Sequence, residues 1–130
     1  MNWQDVALGL AGGIGCFVAV VHGVLIERWV VKPIGKLVAA DARMAPSTRR
    51  LVPPLLHLST FAWFLGGLAL IGAAIWLGRD AQLALGAFVG SLYVFGAVAN
   101  LWATRGRHPG WMLMVVALVL IVSALSGSGG

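Results

Sequence analysis

Four stretches of this chain, at roughly 6–26, 51–77, 81–103 and 110–125, are almost wholly apolar. A bilayer core takes about 20 apolar residues per helical span. In lipid, each backbone N–H and C=O has to be satisfied inside its own helix, because no water is there to replace it. In a chain of 130 residues that is 60% hydrophobic, with a mean hydropathy of +0.94, four such spans use nearly the whole length. The expected fold is therefore all-α, an integral membrane four-helix bundle with antiparallel neighbours. It forms one domain over 1–125, followed by a flexible low-complexity tail at 126–130, and no separate soluble domain is expected.

The basic residues orient the bundle. Arg28, Lys32, Lys36, Arg43, Arg49 and Arg50 lie between spans one and two, Arg105 and Arg107 between spans three and four, and Arg79 alone between spans two and three. Both basic connections fall on one side. Because Lys and Arg accumulate in cytoplasmic loops, the chain is expected to sit N-out and C-out in its membrane. Trp3 and Trp76 mark the outer headgroup level, and Trp29, Trp102 and Trp111 the inner one. The net charge of +5 is accounted for by anionic lipid headgroups at the cytoplasmic face, so nucleic acid is not an expected partner. No Lys or Arg precedes the first span and Asp5 does, which is unlike a signal peptide, and this helix is expected to be retained. The single Cys16 permits no internal disulfide and reads as a small packing residue.

Small residues recur at helical spacing where helices would meet closely. Span one carries Gly12, Cys16, Ala19 and Gly23, span two Ser59, Ala62, Gly66, Ala69 and Ala73, and span three Gly86, Gly90, Tyr93, Ala97, Asn100 and Thr104. Span four, "WMLMVVALVLIV", carries no such stripe and is expected to be the most lipid-exposed. In the long connection, Pro33 can open a short interfacial helix presenting Ile34, Leu37 and Val38 on one face, and Ser47 or Thr48 can cap the next helix. Pro53 and Pro54 either start the second helix or kink its first turn.

The polar residues of the spans converge on one end. Counted from the basic boundary at 1.5 Å per residue, His22, His57 and Asn100 lie roughly 8 to 10 Å deep, with His108 nearer the surface. Ionisable residues at such depths usually face a bundle interior or a cavity. His22, His57 and His108, with Glu27 as a fourth donor, could ligate a transition metal or hold a heme. Asn100, Trp63, Ser59 and Thr60 would stand around them. Each histidine also has a plainer reading, a hydrogen bond to a neighbouring helix or to a lipid phosphate. His22 and Glu27 are five residues apart, about 500° of helical rotation, so they point roughly 140° apart and do not share a ligand on a regular helix. No Ser/His/Asp set, phosphate-cradling loop or zinc-type Cys/His spacing is present, and a catalytic role is not expected. A structural or partner-binding membrane protein that forms homo-oligomers and a small transporter subunit are the alternatives to a ligand-binding one.

"VHGVLIERWVVKP", "RRLVPPLLHLSTFAWFLGGLAL" and "RGRHPGWMLM" together resemble a group of small bacterial multi-pass membrane proteins. These carry a His followed by Gly-Glu-Arg, then His-Leu-Thr/Ser with a Trp, then Arg-His and a Trp. Position by position, the resemblance singles out His22, Glu27, Arg28, His57, Ser59, Thr60, Trp63, His108 and Trp111, with Ile26 standing where the pattern has glycine. "LHLSTFAWFLGG" alone is similar to one helix of copper-resistance D type proteins and of heme-linked four-helix oxidases. The two likenesses imply functional inner-face histidines with a metal or heme as the ligand.

Overall fold

A computed structural model describes residues 2–127, which are helical apart from short connections. In order these are α1 (Trp3–Ile26), a π-helical segment (Glu27–Val31), α2 (Lys32–Ala40), α3 (Pro46–Leu56), α4 (Leu58–Trp76), α5 (Arg79–Thr104) and α6 (Gly110–Ser126). The continuous helical runs Trp3–Ala40 and Pro46–Trp76 and the helix Arg79–Thr104 are long and apolar enough to cross a membrane. Helix α6 has 17 residues, which at 1.5 Å each gives about 26 Å, the lower end of spanning length. Of the tail expected at 126–130, Ser126 instead closes α6, and 128–130 lie outside the described residues.

Local chemistry sets the helix ends. Asn2 and Asp5 form a reciprocal capping box at α1, the Asp5 N–H donating to Asn2 Oδ1 at 2.9 Å and the Asn2 N–H to Asp5 Oδ2 at 3.1 Å. Neither Ser47 nor Thr48 caps α3. Pro46 stands in its first turn, where a missing N–H is harmless, and Ala45 holds the cap position. The expected second span starting at 51 is interrupted. Pro53 and Pro54 lie inside α3 and remove two backbone donors, and the chain bends at His57 (φ −87°, ψ −2°) before α4 begins. Helix α5 ends where Arg105 and Gly106 take positive φ (50° and 76°), letting the Gly106 N–H return to the Leu101 carbonyl at 3.0 Å. Glycine suits the second of these positions because it has no Cβ to clash.

Helices α4 and α6 lie between α1 and α5, each in contact with both. The core consists of one buried face from each. Ala7, Leu8, Ala11 and Val18 come from α1, Trp63, Leu70 and Ala73 from α4, Val89, Tyr93 and Ala97 from α5, and Met114, Ala117, Ile121 and Ala124 from α6. The closest approach joins α1 and α4, where a Cβ on Gly12 would stand 2.5 Å from the Gly67 carbonyl oxygen and one on Gly67 2.6 Å from that of Gly12. On α4 the buried face runs through Trp63, Gly66, Gly67, Leu70 and Ala73, one position round from the expected Ala62 and Ala69. Helix α6 departs further from expectation. Gly110, Met114, Ala117, Ile121 and Ala124 recur at alternating steps of four and three and are all buried, so this helix has a packing stripe that uniform apolarity conceals. By contrast, no residue of α2 or α3 is buried.

At the end holding Asn2, Ser126 and the 77–79 link, Gln82 is 6% exposed. Its side-chain amide donates to Asp5 Oδ1 (3.0 Å) and to the carbonyls of Ala73 and Leu77 (both 3.2 Å). Arg79 donates to the carbonyls of Ala124 (2.8 Å), Leu125 (2.6 Å) and Gly127 (3.1 Å). These are the otherwise orphaned acceptors at the C-terminus of α6, where a cation also complements the helix dipole.

Candidate functional site

The opposite end, beside the two basic connections, gathers the histidines. The bend after the proline pair places the His57 ring against Glu27, the first residue of the π-helical segment, with Nε2 and Oε2 3.0 Å apart. A π-helical turn adds one residue to the ring closed by each hydrogen bond and so re-aims the side chains around it. Glu27 thus reaches across to α4 instead of pairing with its neighbour Arg28. The pair is 34% and 41% exposed at the side chains, so water or headgroups screen it.

His22, one turn earlier on α1, has different partners. Its Nε2 lies 3.3 Å from Ser59 Oγ, and its ring packs on Trp63 with centroids 4.7 Å apart and planes tilted by 57°. His108, just before α6, accepts the Gly110 N–H at Nδ1 (3.1 Å). In the neutral imidazole this leaves the proton on Nε2, which has no protein partner among the described residues. Among these residues, no three His, Cys, Asp or Glu side chains lie together as a metal-holding group. The four expected donors, His22, His57, His108 and Glu27, thus stand in separate contacts. The bend at His57 and the π-turn at Glu27 turn those two toward each other, whereas His22 and His108 face inward.

They face two cavities. The larger, of about 420 Å³, lies between the end of α1 with its π-helical extension, the start of α4 and the last turns of α5. The smaller, of about 190 Å³, lies between α1 and the start of α6. His22, Trp63, Asn100 and His108 border both and form the wall between them. Apart from Ser59 and Thr104, the rest of the larger cavity's lining is apolar and aromatic, as at Trp29 and Phe95, and among the described residues no Asp, Glu, Lys or Arg borders either cavity.

Asn100 is the unusual member of this wall. Its Oδ1 is buried and makes no hydrogen bond, and its Nδ2 has no protein partner among the described residues. Burying an amide without partners costs on the order of 1–3 kcal/mol, so one retained at a cavity edge needs an explanation. Thr104 adds nothing to it, because its hydroxyl donates to the Asn100 backbone carbonyl at 2.7 Å. Thr60 Oγ1 is likewise buried without a partner, with its methyl against Gly23.

That His22 and Asn100 lie at the same end of the helices could be read from the sequence, whereas the pairing of Glu27 with His57 could not, because it depends on two local departures from α-helix. The Asp5–Gln82 and Arg79 contacts at the far end were also missed. The signal available was a glutamine and an arginine flanking the "GRDAQ" turn, polar residues entering an apolar helix. Comparison of the chain with protein-family descriptions, curated proteins and solved structures gives no match.

Proposed function

We propose that this chain is an antiparallel four-helix protein of the bacterial inner membrane, with both termini outside and the basic connections on the cytoplasmic side against anionic lipid headgroups. In this reading it is a binding protein and not an enzyme: its inner-end cavity takes up an uncharged amphiphile from the bilayer. The distribution of eight basic residues in two connections against one in the third supports the orientation. The α2–α3 segment, basic and without buried residues, suits the interface.

The observation that carries the binding reading is the combination in one wall: an apolar, aromatic cavity of about 420 Å³, free of formal charge, edged by an amide with no protein partner. Ligand sites typically have 300–1,000 Å³, apolar linings and a few placed polar groups. The spread of the imidazoles over separate contacts, with no three His, Cys, Asp or Glu side chains together among the described residues, favours this reading over a transition metal or heme. Ala99 lines the cavity, and Ala99→Trp would fill it without touching the core. Protein purified in bilayer nanodiscs and released for native mass spectrometry should carry a neutral lipophilic adduct that the Ala99→Trp protein lacks. Identical spectra for the two proteins would refute the binding reading. Reporter fusions at both ends and in the 41–45 loop test the orientation separately.

A further inference from the structure

We infer that the ligand of this cavity belongs to the quinone class, a flat uncharged ring with carbonyl oxygens on its edge and an apolar tail; this rests on the binding reading above. Three features of the wall choose among neutral amphiphiles. The lining is rich in flat rings: Trp29, Trp63, Phe95 and the His22 imidazole all border the larger cavity, a surface suited to a planar head more than to a flexible acyl chain. Two residues lining it carry donors with no protein partner among the described residues, the Nε2–H of neutral His108 and the Asn100 Nδ2, which match ring carbonyls, and the buried Asn100 Oδ1 can accept from a hydroxyl of the reduced ring.

These donors are also neighbours. A Cβ built on Gly110 would lie 2.9 Å from His108 Nδ1 and 3.5 Å from Asn100 Nδ2, so the His108 ring and the Asn100 amide stand on either side of one glycine, and both residues border the larger cavity. Finally, among the described residues no Lys or Arg borders the cavity, which disfavours a phospholipid phosphate or a carboxylate as the head, since a buried anion needs a paired charge. The exposed positions of Phe95 and Ala103 on the cavity rim leave a side opening through which a tail could extend into lipid.

The test uses the full chain in nanodiscs, titrated with decylubiquinone and, separately, with dodecanol, which offers a similar tail and a hydroxyl but no ring. Binding is read from saturable quenching of tryptophan fluorescence, Trp63 and Trp29 both bordering the cavity, and dodecanol from its competition with the quinone. Asn100→Leu is the informative variant, because it removes an unpaired buried amide and should leave the fold intact. Decylubiquinone should saturate, dodecanol should compete poorly, Asn100→Leu should weaken quinone binding by about tenfold, as expected for one lost hydrogen bond, and Ala99→Trp should abolish it. If dodecanol competes as well as the quinone binds, the cavity is a general amphiphile site and the quinone assignment falls alone. If quinone binding is unchanged in Asn100→Leu, the assigned head contacts are wrong and the inference falls. If neither probe saturates in the wild type and Ala99→Trp behaves identically, the binding reading falls with it.

Discussion

Adding a single methyl group at the α1–α4 crossing should be among the most damaging small substitutions in this protein. In Gly67→Ala the new Cβ would meet the Gly12 carbonyl oxygen at 2.6 Å, the Cys16 sulfur at 2.7 Å and the Cys16 backbone nitrogen at 2.9 Å, where ordinary contact begins near 3.4 Å. Two of these three atoms are backbone, so no side chain can swing aside and the helices have to separate by about 1 Å. A gap of that size forfeits roughly a quarter to a half of each van der Waals contact along the seam. Overpacking of this kind costs about 1–3 kcal/mol, against which the helix propensity of alanine over glycine returns at most about 1 kcal/mol. The net loss should be about 1–2 kcal/mol. Gly12→Ala, which meets the Gly67 oxygen at 2.5 Å, should behave similarly, and the double variant should lose less than the sum, since one separation relieves both clashes. Gly13, with nothing within 4 Å, is the control: Gly13→Ala should be neutral or stabilising. Reversible unfolding in mixed micelles of rising SDS fraction measures all four. A Gly67→Ala protein as stable as wild type, alongside a well-behaved Gly13→Ala, would refute the reasoning.

Three further outcomes are expected from contacts at the two ends. Arg79→Lys should cost about 2 kcal/mol, because an ammonium on a shorter reach cannot hold three carbonyls of the α6 terminus at once, and hydrogen exchange should rise in the last turn of α6 before anywhere else. A double-mutant cycle of Glu27→Gln and His57→Ala should give a coupling of about 0.2–1 kcal/mol that shrinks as salt is added; a larger, salt-insensitive value would mean that the pair is more deeply desolvated than its exposure indicates. Asn100→Leu should raise the stability of the ligand-free protein by about 1 kcal/mol, read in the same micelle titration, and a loss of that size would mean that the amide has a partner in the folded protein.

The long apolar runs and the stripe from Gly86 to Ala97 could be read directly, because lipid-length apolarity and small-residue spacing are properties of the chain itself. What could not be read was where helices deviate. The Pro53–Pro54 pair allowed either a start or a kink, and the structure has the interruption after them, at His57. Nothing in "LIERWVVKP" announces a π-turn, since that widening changes hydrogen-bond partners without changing composition. The stripe on α6 was hidden for a different reason: Met114 and Ile121 are no more apolar than the exposed Val115 and Val122 beside them, so hydrophobicity alone could not separate the two faces. At the candidate site, depth along the helix was predictable from counting residues, whereas partnership depended on these local deviations.

Tyr93 gives the middle of the molecule a particular character. It is fully buried on α5, and its phenol reaches between α4 and α6 to α1, where the missing side chain of Gly15 makes the room: a Cβ there would coincide with the Tyr93 hydroxyl. The ring works as a stopper between the histidine-bearing end and the end held by Asp5, Gln82 and Arg79. Both cavities lie on the histidine side of this ring and neither is bordered by Asp5, Arg79 or Gln82, so the open space of the molecule belongs to one mouth while its waist is filled by a single phenol.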